Sequence, residues 1–168
     1  MNITIPRELA TKIVWFCSRK NVEPEEVIIS KDSKERDMYI ISRGQFKVHD
    51  DSAGEDFVLA ILNRGDIFGE MSFLDSTKRS ASVTATCPGS LLVMGEKEFD
   101  AMLTKEPETA VHFIRFLSGV VSGRLRIAND ALLQIAFGDG AAISQEYAQL
   151  KDAIAEMHAA VRMELEDE

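Results

Sequence analysis

A glycine, a glutamate and an arginine inside one stretch of eleven residues carry the chemistry of this 168-residue chain. The stretch runs from Gly69 to Arg79, within the run Phe68 to Val83, FGEMSFLDSTKRSASV. Gly69 has no Cβ and lets the backbone come close to a ligand. The amides just after it open a short helical turn, and helix N-termini favour an anion. Arg79 offers a planar fork of donors that matches a phosphate. Glu70, once ionised, only accepts hydrogen bonds and suits a sugar hydroxyl. One short stretch thus supplies a phosphate cradle, its counter-charge and a carboxylate for a ribose. For either charged residue alone a solvated surface position is the default, but that does not account for the pair in this setting.

At these residues the chain resembles the phosphate-binding cassette of cyclic nucleotide-binding domains, as in catabolite activator proteins, protein kinase A regulatory subunits and cyclic nucleotide-gated channels. Phe68-Gly69-Glu70 and Arg79-Ser80-Ala81 occur together with the family's spacing, and the resemblance extends from about Val22 to about Arg126. It implies that Glu70 takes the ribose 2′-OH and Arg79 the cyclic phosphate. It implies that Ser80 lends its hydroxyl to the phosphate or to a guanine amino group, and that the amides of Gly69, Glu70 and Ala81 complete the cradle. Phe68, Met71 and Ser72 fill out the expected site. The ligand so implied is cAMP or cGMP, with no further cofactor, no metal and no catalytic residue.

The resemblance also implies a lid. The cassette accounts for phosphate and ribose but offers few groups for the base, and in the family the helix after the barrel covers it. Arg124, Arg126 and Asn129 are the candidates here, because arginine stacks on a purine and asparagine pairs with an adenine edge. Two departures from the pattern stand out. Lys31-Asp32-Ser33 replaces the family's Gly-Asp or Gly-Glu before the strand Asp37 to Ser42, and Ser76-Thr77-Lys78 replaces a Gly- or Pro-containing lead-in to the arginine.

The elements that must position this stretch are mostly strands. From Glu26 to Met94 the periodicity is close to two, with short strands at Val27–Ile29, 37–42, 46–48, 57–62, 79–85 and 90–94, separated by polar and glycine turns. Such a series predicts a mainly β fold, a jelly-roll barrel. Helices flank it. Residues 6–20 read as an N-terminal helix opened by Pro6, with Leu9, Ile13, Phe16 and Cys17 on one face. A short helix follows Lys97 and ends near Glu106. Pro107 opens a long one with apolar positions at Val111, Ile114, Leu117, Val121, Leu125 and Ala128. Gly119 and Gly123 lie on one face of it, and each costs about 1 kcal/mol relative to alanine, which suggests a close contact. Phe137-Gly138-Asp139-Gly140 breaks it. Residues 144–165 then read as a last helix with a heptad stripe at Ile143, Tyr147, Leu150, Ile154, Met157 and Val161. The expected organisation is an N-terminal helix at 1–21, a nucleotide-binding barrel at 22–106 and C-terminal helices at 107–168 that serve as lid and dimerisation element.

Composition bounds the rest. Hydrophobic content is 45%, charged content 28% and net charge −9, ordinary for a soluble domain. The stretch from Phe137 to Glu168 holds eight acids and two bases, so −6 of that charge falls there. An acidic chain with an acidic tail repels DNA phosphates, and these residues do not suggest a winged helix-turn-helix. No apolar run long enough for a membrane span is present, and the expected location is the cytoplasm. Asn2-Ile3-Thr4 reads as a chance sequon. Cys17 and Cys87 follow no metal or redox spacing. His49, His112 and His158 are scattered, which argues against a cupin-type metal enzyme, and no P-loop or H-E-x-x-H motif is present.

Three readings follow: a cyclic nucleotide sensor that signals through its C-terminal helices as a homodimer and to a protein partner, a scaffold of the same fold without ligand, and a transcription factor of the catabolite activator type. The cassette favours the first, because a retired site should lose Glu70 or Arg79. The acidic C-terminal stretch disfavours the third. The sequence leaves the choice of purine open.

Overall fold

The computed structural model describes residues 7–50 and 57–137. The turn expected at Asp50–Gly54 falls largely outside those residues. The sequon at Asn2, the Gly138–Gly140 break, the last helix with its heptad stripe and His158 lie wholly outside them.

The chain opens with helix α1 (Arg7–Phe16) and then enters strand β1 (Ser18–Val22). This corrects the helix expected to reach Lys20. Ser18 to Val22 pair with β8 (Gly89–Met94) along their whole length, Ser18 opposite Val93 and Val22 opposite Gly89. The backbone hydrogen bonds of that ladder outweigh a helical pattern that holds only as far as Cys17. Strands β2 (Val27–Ile29), β3 (Met38–Arg43), β4 (Phe46–Asp50) and β5 (Phe57–Leu62) follow, then the two-residue β6 (Ile67–Phe68). Helix α2 (Glu70–Asp75) and strand β7 (Ser82–Ala85) form the two ends of the cassette. Helices α3 (Glu96–Lys105) and α4 (Pro107–Phe137) come after β8.

The eight strands form two antiparallel four-stranded sheets, β1-β8-β3-β6 and β2-β7-β4-β5. No ladder joins them, so among the described residues the expected barrel is a pair of facing sheets rather than a closed one. Alternation along the first sheet sorts its side chains. Tyr39, Ile41, Phe68 and Leu91 point towards the second sheet and pack there with Ile29, Phe46, Val83 and Ala85. Met38, Ile40, Ile67, Leu92 and Met94 point the other way and meet Ile13 of α1, Met102 of α3, and Phe113, Phe116 and Leu117 of α4. The central strands β3 and β8 of the first sheet are therefore buried on both faces, which is why they read as apolar runs instead of alternating ones. Each large aliphatic side chain buried this way contributes about 1.5–3 kcal/mol.

Helix α4 shows a feature that periodicity did not sort. Its inward face is Thr109, Ala110, Phe113, Phe116, Leu117 and Val120, all buried, with Gly119 and Gly123 buried alongside. Of the apolar positions read from the sequence, only Leu117 belongs to that face. Val111 is 57% exposed and Leu125 61%. The helix carries two apolar stripes, and the second faces outwards.

Candidate functional site

The cassette is built at the meeting of β6, α2 and the loop that follows. Phe68 ends β6 inside the core, its ring stacked on Tyr39 with centroids 5.0 Å apart and tilted against Phe46 at 5.6 Å. The chain then turns at Gly69, where φ is +79°. A Cβ there would lie 2.8 Å from Arg79 Nη1, 2.8 Å from the Asp37 carbonyl oxygen and 3.1 Å from Ile29 Cδ1. Both the left-handed backbone and the lack of space thus require glycine. The turn starts α2 at Glu70, so the first amides of the helix open beside the arginine.

Arg79 is 3% exposed. Its Nη1 donates to the Gly69 carbonyl at 2.8 Å, and its Nη2 donates to the Asp37 carbonyl. Its Nε is buried and has no hydrogen-bond partner. Burial lowers the guanidinium from its ordinary value, while Tyr39, Asp37, Glu35 and Glu70 pull it back up. Burial, with Asp37 adding to it, raises the neighbouring Tyr39 phenol. The backbone around Arg79 is held by the stretch that departs from the family pattern. The Asp32 amide donates to the Arg79 carbonyl at 3.0 Å, and the Arg79 amide donates to the Ser33 carbonyl at 3.1 Å. Asp32 adopts φ +63° to do so. Lys31-Asp32-Ser33 thus clamps the loop in place of the usual glycine turn.

Glu70 is 1% exposed. Its Oε1 accepts from Arg124 Nη1 at 2.6 Å, and Arg124 Nη2 donates to the Ile67 carbonyl. Arg124 stands on α4, with its side chain 41% exposed. Of the three residues expected to form a base lid, Arg124 alone reaches the cassette in these contacts, and it reaches the Glu70 carboxylate. Arg126 and Asn129 are exposed on α4, turned off Arg124's side by the 3.6-residue repeat of the helix. Of the other expected site residues, Ser72 is buried, Met71 is 46% exposed, Ser80 is exposed and Ala81 is half-buried.

Asp37 and Ser33 act here through main-chain carbonyls and were not among the expected site residues. A backbone acceptor leaves no mark in residue type, so no sequence signal points to them. The Asp37 carboxylate lies beside Gly95 at the start of α3, with Oδ1 2.6 Å from where a Cβ would be, which leaves little room for one. Among the described residues no three His, Cys, Asp or Glu side chains gather as a metal site.

This arrangement of buried arginine, buried carboxylate and positive-φ glycine falls within a matching family model. Residues 19–106 match the cyclic nucleotide-binding domain. The chain belongs to that family. The cyclic nucleotide-binding domain is a ligand-binding regulatory unit, not a catalytic one. The cyclic AMP receptor protein of Thermus thermophilus is 29% identical over 135 residues, which are 79% of this chain and 59% of that protein. The lysophospholipase NTE1 of Cryptococcus neoformans is 30% identical over 96 residues, 57% of this chain but 6% of that enzyme. The chain thus spans between 6% and 59% of the length of these relatives. Among solved structures, a cyclic nucleotide-binding domain from Methylobacillus flagellatus superposes with a TM-score of 0.67 at 19% identity, covering 80% of this chain and 86% of that one. The Thermus thermophilus catabolite activator protein superposes at 0.59 and 22% identity, covering 95% and 85%. Both show the same fold. No described helix of this cyclic nucleotide-binding domain is long and apolar enough to cross a membrane.

Proposed function

We propose that this domain is a sensor that binds a 3′,5′-cyclic purine nucleotide, cAMP before cGMP, and passes the event to its C-terminal helix. The observation that carries the reading is the buried, unpartnered Nε of Arg79 beside Gly69. A buried donor without an acceptor costs about 1–3 kcal/mol, and a phosphate oxygen entering the cradle relieves it. Glu70, whose Oε1 accepts from Arg124, is the carboxylate we assign to a ribose hydroxyl. Arg124 ties the carboxylate to α4, which gives the helix a direct stake in the occupancy of the site. Calorimetry of the purified chain with cAMP, cGMP and AMP tests the reading. Binding of a cyclic nucleotide in preference to AMP supports it.

A second reading is a scaffold of the same fold without ligand. What favours it is that Arg79 and Glu70 already have partners inside the chain. Absence of heat with all three nucleotides selects it. For self-association, expected from the helices after Pro107, we assign the outward stripe of α4 as the surface. A protein output partner fits the same signalling role, and action on DNA is not part of this proposal.

A further inference from the structure

Arg79 is held at its head and at its root. The guanidinium donates to the carbonyls of Gly69 and Asp37, but where that head can lie depends on where the main chain of residue 79 sits. One short segment, residues 31–33, holds that main chain. The Lys31 amide donates to Ser82 Oγ at 3.0 Å. The Asp32 amide donates to the Arg79 carbonyl at 3.0 Å, and the Arg79 amide donates to the Ser33 carbonyl at 3.1 Å. Asp32 makes its contact from the left-handed region, at φ +63°. A residue with a Cβ stays there only where its surroundings enforce it.

The side chain of Lys31 supplies that enforcement. Its Nζ donates to both carboxylate oxygens of Asp50, at 2.9 and 2.7 Å. Asp50 ends β4, one residue beyond His49, which pairs with Ser82 of β7. The lysine therefore grips two strands at once, β7 through its amide and β4 through its ammonium. Side-chain exposure is 25% for Lys31 and 30% for Asp50, and a half-buried pair is screened less than a surface one. Lys31 and Asp50 both lie outside the cassette, and Lys31 belongs to the stretch that departs from the family pattern.

We infer that Lys31 is a positioning residue of the phosphate site. Its ion pair with Asp50 holds residues 31–33, and through them the main chain of Arg79, where the guanidinium meets a cyclic phosphate. The inference deepens the proposed function and rests on it. Its physical basis is preorganisation. A site whose arginine is in place only about one-fifth of the time binds about fivefold more weakly than one whose arginine is always in place.

The full chain is used for the test. Lys31→Met keeps most of the side-chain length and removes the charge, and Asp50→Ala removes the partner from the other side. Each should weaken cAMP binding by about fivefold in calorimetry, and Lys31→Arg, which can still donate to both carboxylate oxygens, should restore most of the affinity. Coupling to Arg79 separates positioning from a merely structural role. In an Arg79→Ala background Lys31→Met should weaken cAMP no further, because the group it positions is gone. An equal loss in both backgrounds overturns the inference and makes the pair a stability contact. Hydrogen exchange of the nucleotide-free protein is the second readout. The Asp32 and Arg79 amides should exchange about fivefold faster in Lys31→Met, with β3 and β8 unchanged. Unchanged exchange at those two amides, or unchanged cAMP affinity in either single variant, also overturns the inference. If the unaltered chain binds no cyclic nucleotide, the proposed function fails and the phosphate role of Lys31 fails with it, while the exchange rates still decide whether Lys31 holds the main chain of Arg79.

Discussion

Arg124 and Glu70 are separated by 54 residues in sequence and joined by a 2.6 Å ion pair. The pair is lopsided. The glutamate side chain is 2% exposed and the arginine side chain 41%. Removing one end therefore has a different effect from removing the other.

Arg124→Ala leaves a buried carboxylate without its cation, whereas Glu70→Gln leaves an arginine that can turn to water. The expected loss of stability is about 1–3 kcal/mol for Arg124→Ala and smaller for Glu70→Gln. Thermal or urea unfolding of both variants measures the difference. Equal losses would show that the pair contributes no more than a surface contact.

For the ligand, Arg79→Ala should weaken cAMP binding by about 10- to 100-fold, the equivalent of one charge-assisted contact of roughly 1.5–3 kcal/mol. Glu70→Ala should weaken cAMP but affect a 2′-deoxy analogue much less. Calorimetry with both nucleotides reads this, and unchanged affinity in Arg79→Ala removes the arginine from the phosphate site.

Gly69→Ala is expected to be worse than its size suggests. The left-handed backbone alone costs about 1–2 kcal/mol with a Cβ present, and that Cβ meets Arg79 Nη1 and the Asp37 carbonyl at 2.8 Å each. Both stability and cAMP affinity should fall together, as measured by unfolding and by titration of the same preparation.

Cys17 donates its thiol to the Ile13 carbonyl at 3.4 Å, and burial, with Glu98 adding to it, pushes the thiol from 9.0 up to about 12. Near pH 8 it is a protonated and unreactive group. Alkylation by iodoacetamide should reach Cys17 only on unfolding. Its folded pKa is the higher one, so the associated stability is complete below about 9 and is lost as pH rises from there towards about 12. A Cys17→Ala variant should show a shallower loss of stability over that window in alkaline unfolding curves.

Hydrogen exchange tests the proposed link between the cassette and α4. With cAMP bound, amides in residues 118–132 should change protection together with the cassette, because Arg124 links α4 to Glu70. Protection confined to the cassette would make α4 a passive support.

The cassette was legible in the sequence because its chemistry depends on residue type. A glycine, a carboxylate and a guanidinium at fixed spacing have few alternative uses. Sheet strands such as Met38–Ile41 and Leu91–Met94 were legible as apolar runs. Strand β1 was not, since Ser18-Arg19-Lys20-Asn21 is polar, lies at a sheet edge and adjoins a helical pattern. Strand β6 is too short to show a period. The Arg124–Glu70 contact was not legible because a pairing across 54 residues is a property of the packed fold, and local periodicity cannot say which of two apolar stripes on α4 turns inwards.

Asp37 meets Arg79 with its carbonyl, while its carboxylate lies beside Gly95 at the start of α3. These two sides of the residue differ in how genetics can see them. Any substitution at position 37 that keeps the strand also keeps the carbonyl, so a saturation screen will score only the carboxylate side. The arginine's second anchor is thereby silent to side-chain mutagenesis. It becomes visible only when the peptide bond itself is altered, as by an ester in place of the amide that follows Asp37, which weakens that carbonyl as an acceptor while every side chain stays the same.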